Sequence, residues 1–210
     1  MADLLVVENV PGEWITSAPF YKLAGIAGAD NPIYATSVSD MASQIAARAL
    51  AISQPNTGAF GIGVIKRLFI GGHGAPGEQS VGIGTATDNV GIKSLRVGPG
   101  GKLRGPAPAW LAALVPLLAQ DVVVTLGGCE VADTVKGQNL LRAVSDALGG
   151  LAVQGATGKQ FTLFGHLRGD VWRAYRGGVR NLGSWNTIPE FVIPGPRQSE
   201  VAAITGATRH

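Results

Sequence analysis

The chain is predicted to fold as a single α/β domain around an open, mostly parallel sheet with helices on both faces. Apolar runs of strand length alternate along the chain with segments of helical periodicity. One of these runs, "DVVVTLGG", is almost wholly apolar, as expected for a central parallel strand that is covered on both faces. With 210 residues the chain is long enough for one substantial core and short for two. We therefore assign residues 1–185 to one domain and treat 186–210, which is rich in proline, as an edge or loosely ordered extension.

The first half of the chain predicts a strand, a helix and a second strand. Residues 3–9, "DLLVVEN", form a short apolar run that turn signals end, and the absence of a basic region before it favours a strand over an export signal. The segment "SVSDMASQIAARALAIS" predicts a helix, with Ser37 or Ser39 as its N-cap. The run "VIKRLFIGG", from Val64, predicts the second strong strand.

The second half continues the alternation. The glycine-rich segment 77–105 favours a hairpin excursion over a helix. A helix is predicted near 107–119, with Pro116 either kinking it or marking its end. The run "DVVVTLGG" is the third strand, "KGQNLLRAVSDALGG" predicts an amphipathic helix with Gly149 as its C-cap, and "LAVQGAT" predicts a fourth strand. Residues 159–175 predict one or two further strands.

Composition excludes several function classes. Seventeen Lys and Arg against fourteen Asp and Glu give a net charge of +3, an excess too small to imply nucleic-acid binding. A single cysteine excludes an internal disulfide and, with three histidines, argues against a conventional zinc site. No apolar run reaches membrane-spanning length. These observations predict a soluble, cytoplasmic protein that holds neither a metal nor another cofactor.

A basic cluster lies late in the chain. Its five members fall within residues 159–180, with Trp172 and Tyr175 among them. These members are Lys159, Arg168, Arg173, Arg176 and Arg180. The cluster predicts a weak polyanion site, and a solvated basic face is the alternative interpretation.

Two strand ends carry the residue types that thiol catalysis needs. His73 follows "RLFIGG" and Cys129 follows "VVVTLGG", each just after the carboxyl end of an apolar strand. Such ends lie along one edge of a parallel sheet, and neighbouring strands are about 5 Å apart. An imidazole placed there is suited to act as a base beside a thiol. The backbone N–H groups of Gly74 and Cys129 are then candidates for holding an oxyanion.

Other interpretations of these residues stay open. A lone cysteine after an apolar run is usually a small buried hydrophobic residue, and a histidine in a glycine-rich loop is also explained as a turn residue. His166, which ends the run "FTLFGH", is a rival base, because amidotransferase-like cysteine enzymes have the nucleophile first and the histidine later. Those enzymes have a glycine two places after the cysteine, where this chain has Val131.

The motifs "RLFIGGHG" and "VVVTLGGC", in this order and spacing over residues 64–155, resemble those of the caspase-like cysteine peptidases. This group includes caspases, legumain, gingipains, separase and the self-cleaving domains of large bacterial toxins, and "LGGCEVADTVKGQNLLRAV" is most similar to the toxin domains. The resemblance implies a caspase-like sheet and a cysteine endopeptidase. By position, it implies that His73 assists proton transfer, that Cys129 attacks the peptide carbonyl, and that the N–H groups of Gly74 and Cys129 hold the oxyanion. No third catalytic side chain is required.

The resemblance also bears on substrate and regulation. Many caspases have glutamine two places before the cysteine and metacaspases have aspartate, whereas this chain has Gly127. We therefore expect cleavage after a small or aliphatic residue of a protein or peptide substrate. The toxin domains are activated by inositol hexakisphosphate on a basic surface, which makes the basic cluster a candidate site for an anionic activator. The alternatives are a catalytically silent caspase-fold binding or signalling module and an amidotransferase-like thiol enzyme.

Overall fold

The computed structural model describes residues 2–8, 28, 31–53, 62–82, 93–159, 169–176 and 178–184. Within them the chain forms ten strands and three α-helices. The strands are β1 (Ala2–Glu8), β2 (Ile33–Ala35), β3 (Ile65–Gly71), β4 (Gly74–Ala75), β5 (Glu78–Ser80), β6 (Ser94–Arg96), β7 (Leu118–Leu126), β8 (Ala152–Ala156), β9 (Asp170–Tyr175) and β10 (Gly178–Ser184). The helices are α1 (Val38–Ser53), α2 (Ala107–Leu114) and α3 (Thr134–Ala147). The predictions for His166, Arg168 and the extension 186–210 lie outside the described residues.

The main sheet is mixed but mostly parallel. Its seven strands have the order β10-β9-β8-β7-β3-β1-β2. The five strands from β8 to β2 run parallel, whereas β9 is antiparallel to β8 and β10 is antiparallel to β9. The predicted parallel α/β sheet is therefore confirmed at this level. The antiparallel direction of β9 and the strand β10 were not predicted.

The described helices pack on one face of this sheet. Along β1, Leu4 and Val6 belong to the main core, whereas Leu5 and Val7 form a separate cluster with Phe69 on the other face. The main core contains buried side chains from all three helices, among them Met41, Ile45, Leu111, Leu114, Leu140 and Val144. Within the described residues, the predicted covering of both faces by helices is thus found on one face.

Helix α1 begins at a paired set of hydrogen bonds. The hydroxyl of Ser37 accepts the backbone N–H of Asp40 at 3.0 Å, and the carboxylate of Asp40 accepts the backbone N–H of Thr36 at 2.9 Å. Of the two serines considered as the N-cap, this hydrogen bond identifies Ser37. Each of the two side chains satisfies a backbone donor near the helix start, as in a capping box.

The ends of the other helices follow from proline and glycine. Pro116 lies in the 3₁₀ turn Val115–Leu117 that directly follows α2, so it marks the end of this helix rather than a kink within it. Helix α3 has Leu148 as its C-cap, and Gly149 follows with a φ of 71°. The predicted stop is therefore correct, but the glycine lies one place beyond the cap, where the left-handed conformation favours it.

The glycine-rich excursion after β3 forms a small sheet of its own. Strands β4, β5 and β6 pair antiparallel in that order, which confirms the predicted hairpin. An ion pair of 3.5 Å joins Arg96 to Glu78 across β6 and β5. This small sheet begins immediately after His73 and therefore lies beside the edge where the candidate residues occur. None of the helices in the described part of the chain is both long and apolar enough to cross a membrane.

Candidate active site

The segments that carry His73 and Cys129 leave the main sheet side by side. Strands β3 and β7 are hydrogen-bonded neighbours, with Ile70 opposite Leu126 in the register. One more backbone bond extends their pairing, because the N–H of Gly127 donates to the carbonyl of Ile70 at 2.8 Å. His73 and Cys129 follow this last bond by two or three residues. Both therefore lie at the carboxyl edge of the sheet, where parallel α/β folds place their ligands.

Beyond the sheet the two segments stay in backbone contact. A Cβ atom at Gly74 would lie 2.7 Å from both the nitrogen and the oxygen of Cys129. A Cβ atom at Gly128 would lie 2.8 Å from the carbonyl oxygen of His73 and 2.8 Å from the Cα of Gly74. Since real Cβ contacts are longer than this, both positions need glycine for the segments to approach so closely. We call these segments, 72–74 and 127–129, the histidine loop and the cysteine loop.

The cysteine loop presents its side chain at the surface and then returns to the core. Cys129 is half-buried and His73 is exposed. The next residue, Glu130, has a φ of 55°, a left-handed conformation that is uncommon for residues with a side chain. Val131 is fully buried, and its methyl groups pack against Gly74 and Gly155. The sharp turn at Glu130 thus leaves Cys129 at the edge of the sheet while Val131 anchors the loop.

A buried carboxylate, Glu8, holds the histidine loop. Glu8 ends β1 and is 2% exposed. Its carboxylate accepts the backbone N–H of His73 at 2.9 Å and the hydroxyl of Ser80. The backbone N–H of Ser80 in turn donates to the carbonyl of His73 at 2.8 Å. The main chain of His73 is therefore fixed on both sides, to β1 and to β5.

A buried amide, Gln79, joins the two loops. Gln79 lies on β5 and is fully buried. Its Oε1 accepts the N–H of Gly128 at 2.8 Å, and its Nε2 donates to the carbonyl of Ser80 at 2.8 Å and to that of His73 at 3.4 Å. One side chain thus bonds to the residue before Cys129 and to His73 itself.

Sequence analysis did not identify Glu8, Ser80 or Gln79. Glu8 carries a signal that can be recognised afterwards, because it is an acidic residue at the end of an apolar strand that points to the same edge as His73. Gln79 and Ser80 carry no comparable local signal, since they lie in a glycine-rich hairpin where polar residues are ordinary.

The space at position 127 is filled by an aromatic ring. A Cβ atom at Gly127 would lie 2.3 Å from Cε1 of Phe69 and 2.4 Å from its Cζ. Phe69 lies on the face of the sheet opposite the main core, with Leu5 and Val7. A side chain at 127 is therefore excluded unless Phe69 moves, and the sheet below the cysteine loop is apolar on this face.

The basic cluster is divided between the two ends of the strands that carry it. Lys159 follows β8 at the carboxyl edge, where the neighbouring Gly158 accepts the N–H of Glu130 at 2.9 Å. Arg176 lies at the opposite edge, where its N–H donates to Gly150, just before β8, at 3.3 Å. The predicted site therefore does not form one continuous patch across these two residues.

The remaining described members of the cluster surround Tyr175. Arg173 is 5% exposed, and its Nε donates to Gln154 at 2.9 Å. Both Arg173 and Arg180 donate to the Tyr175 hydroxyl, at 3.3 and 3.1 Å, and Arg180 also lies over the Tyr175 ring at 4.9 Å. A shallow cavity of about 340 Å³ is lined by Tyr175, Arg176, Gly178, Val179 and Arg180. Arg176 and Arg180 are the members of the cluster that line this cavity.

Comparisons with protein-family models, with curated proteins and with solved structures find no match to the chain. Within the described residues, no group of three His, Cys, Asp or Glu side chains is arranged to hold a metal ion. The arrangement of residues at the sheet edge is therefore the basis for a functional assignment.

Proposed function

We propose that this chain is a caspase-like cysteine endopeptidase with a His73–Cys129 dyad. One observation carries the proposal: the histidine and cysteine loops leave adjacent parallel strands and touch at their main chains, with His73 exposed and Cys129 half-buried. The order and spacing of the two motifs support the caspase-like assignment of the fold. Glycine at positions 74 and 128 allows the histidine loop to approach the cysteine loop. A cysteine with only a structural role would not require this close approach.

The reaction proceeds through an acyl-enzyme. The Cys129 thiol transfers its proton to the His73 imidazole, and the sulfur attacks the carbonyl carbon of the peptide bond. The tetrahedral intermediate collapses, the C–N bond breaks, and His73 returns the proton to the leaving amine. Water then attacks the thioester and gives a proton to His73. Release of the acid regenerates the thiol and the neutral imidazole.

The backbone N–H groups of Gly74 and Cys129 hold the oxyanion in this proposal. The two residues lie side by side, because a Cβ atom built on Gly74 would lie 2.7 Å from the nitrogen of Cys129. A pair of preorganised donors is worth about 10²- to 10³-fold per donor in acyl transfer. Gly74 contributes to the site in two ways, since it supplies a donor and leaves space for the cysteine loop.

The substrate residue before the cut is small or aliphatic. Position 127, where caspases and metacaspases have a side chain that helps to read a charged residue, is glycine in this chain. The ring of Phe69 fills the space that a side chain would occupy. The cysteine loop therefore offers no charge for a charged substrate side chain to pair with. Cleavage of a randomised peptide library tests this preference, and strict cleavage after Asp, Arg or Lys would contradict it.

Labelling of the chain's only cysteine tests the activity. Iodoacetamide and a peptidyl acyloxymethyl ketone carrying leucine are reacted with the purified wild type and with Cys129→Ala, His73→Ala and His166→Ala. We expect no labelling of Cys129→Ala and about 100-fold slower peptidyl labelling of His73→Ala, the usual contribution of a general acid-base group. His166→Ala, the matched histidine control, is expected to react like the wild type.

The other outcomes point to the other functions. Loss of labelling in His166→Ala alone would overturn the dyad and favour the amidotransferase-like enzyme. Equal and slow labelling of the wild type and both histidine variants would favour the catalytically silent binding module. Incubation of the wild type alone, followed by mass spectrometry, reports whether the chain cleaves itself.

A further inference from the structure

Gln79 is a buried side chain that bonds to both loops of the proposed dyad. It is fully buried on a strand of three residues, Glu78–Ser80. Burying an amide without hydrogen bonds costs free energy. Both polar atoms of this amide bond to main-chain groups, since it accepts from Gly128 and donates to Ser80 and His73. Its burial therefore serves polar bonds rather than apolar packing.

The connection lies where the backbone ladder stops. The N–H of Gly127 makes the last described bond between the β3 and β7 chains, to the carbonyl of Ile70. One residue later the N–H of Gly128 bonds to Gln79 instead. A side-chain amide has the same planar donor and acceptor groups as a peptide, so Gln79 acts as a substitute for a further strand at this point.

Two other main-chain bonds of His73 lead away from the cysteine loop. Glu8 and the N–H of Ser80 fix the main chain of His73 to β1 and β5. Gln79 bonds to both loops, so it sets how far the main chain of Gly128 lies from that of His73. A substitution of Gln79 therefore alters the separation of the His73 imidazole and the Cys129 thiol, while His73 stays attached to β1 through Glu8.

We propose that Gln79 is a positioning residue that holds the histidine and cysteine loops in register for catalysis. The inference rests on the proposed function. In this proposal Gln79 acts through the placement of His73 and Cys129 rather than through the substrate. Since a displacement of about 1 Å costs about 100-fold in rate, loss of this clamp lowers the reactivity of Cys129 more than it lowers the stability of the fold.

The test replaces the amide in two ways and uses a second buried glutamine as the matched control. Gln79→Met keeps the shape and removes all three bonds. Gln79→Glu keeps an acceptor for Gly128 but can donate to Ser80 only while its carboxyl group is protonated. Gln154 is also fully buried, and its amide bonds to Thr125 and Arg173, on the main sheet. Gln154→Met and Gln154→Glu therefore report the general cost of losing a buried amide.

Iodoacetamide and peptidyl-ketone labelling rates are measured from pH 5 to 9, alongside thermal unfolding. We expect Gln79→Met to label about 10- to 100-fold more slowly than the wild type, with a pH profile like that of His73→Ala. For Gln79→Glu, the labelling rate relative to the wild type is expected to fall as the pH rises, because the ionised carboxylate repels the carbonyls of Ser80 and His73. Both Gln154 variants are expected to keep the wild-type profile even where they unfold at lower temperature.

The outcomes separate the clamp from the dyad itself. If the wild type and His73→Ala label alike, the proposed function fails before Gln79 is considered. If labelling of the wild type depends on His73 but Gln79→Met labels at the same rate as Gln154→Met, the positioning role of Gln79 is overturned. Should Gln79→Met not fold, Gln79→Glu decides alone: a ratio to the wild type that stays constant with pH overturns the inference, and a falling ratio supports it.

Discussion

Gly128 approaches His73 so closely that a Cβ atom at position 128 would lie 2.8 Å from the carbonyl oxygen of His73. The contact joins residues that are 55 positions apart in the sequence. It is made by main-chain atoms, so it depends on the paths of the two loops rather than on the conformation of a side chain. The placement of the proposed dyad is therefore sensitive to a single added methyl group.

Gly128→Ala is expected to displace the loops. The methyl group would clash with backbone atoms of the histidine loop, and no side-chain rotation can relieve this clash. Overpacking of this kind costs about 1–3 kcal/mol of unfolding free energy. We expect labelling of Cys129 by the peptidyl ketone to fall by about 10-fold or more. Gly178→Ala is the control, because a Cβ atom there meets nothing within 4 Å. Equal labelling of the two alanine variants would show that the close contact has no role in reactivity.

Glu8→Ala is expected to loosen the histidine loop. The substitution leaves the N–H of His73 without its acceptor, and an unsatisfied buried donor costs about 1–3 kcal/mol. The Ser80 hydroxyl loses its bond to Glu8 and keeps the carbonyl of Gly82 as an acceptor. We expect a lower urea midpoint and slower labelling of Cys129. Ser80→Ala removes one of the two donors and is expected to have the smaller effect on labelling. A Glu8→Ala protein that labels at the wild-type rate would exclude a role for this carboxylate in holding His73.

Asp40 is expected to make the stability of the fold depend on acidic pH. Partial burial by itself raises the pKa of Asp40, but hydrogen bonds from the Thr36 backbone and from the Gln44 and Thr36 side chains together lower this pKa below its ordinary value of 3.8. A carboxylate with a lowered pKa stabilises the fold above pH 3.8, and the stabilisation is lost as the pH falls through the lower, folded-state value.

Asp40→Asn is therefore expected to lower the Tm at pH 7 by about 2 to 4 °C, the shift that ~1 kcal/mol of capping energy gives in a chain of this size. Its difference from the wild type is expected to shrink once the pH falls below 3.8. Asp121→Asn is the control for the change in net charge, since the Asp121 side chain is 70% exposed. A Tm difference for Asp40→Asn that persists unchanged at lower pH would contradict this account.

The cavity beside Tyr175 is expected to bind a polyanion. Arg176 and Arg180 line it and supply positive charge that inositol hexakisphosphate can neutralise. A ligand that binds only the folded chain raises the Tm in proportion to the logarithm of its concentration. We expect such a rise in the wild type, a smaller one in Arg176→Ala and Arg180→Ala, and faster labelling of Cys129 with the ligand present.

Lys66→Ala is the matched control for this experiment, because Lys66 is half-exposed and pairs with Asp121 on strands away from the cavity. Its response to the polyanion is expected to equal that of the wild type. A Tm and a labelling rate that do not change on adding inositol hexakisphosphate would remove the anionic activator from the proposed function.

Much of the fold follows from the sequence because its cause is local. Apolar runs and helical periodicity located β1, β3, β7 and β8, together with α1 and α3, to within a few residues. Pro116 and Gly149 predicted helix ends because the backbone properties of proline and glycine take effect at their own positions in the chain. The strands β2 and β10 were missed. The three residues of β2 carry too little pattern, and β10 contains no fully buried residue that would give an apolar run.

The sequence by itself determined that His73 and Cys129 lie at the ends of two buried strands. An apolar run that ends at glycine is a local pattern, and it indicates where a strand ends. Only the tertiary structure decided that these strands are neighbours with loops in main-chain contact, and that Glu8 and Gln79 hold them. The register of the sheet selects those partners, and register depends on residues far apart in the chain. A polar side chain in a strand or hairpin carries no local mark of the backbone group that it will meet.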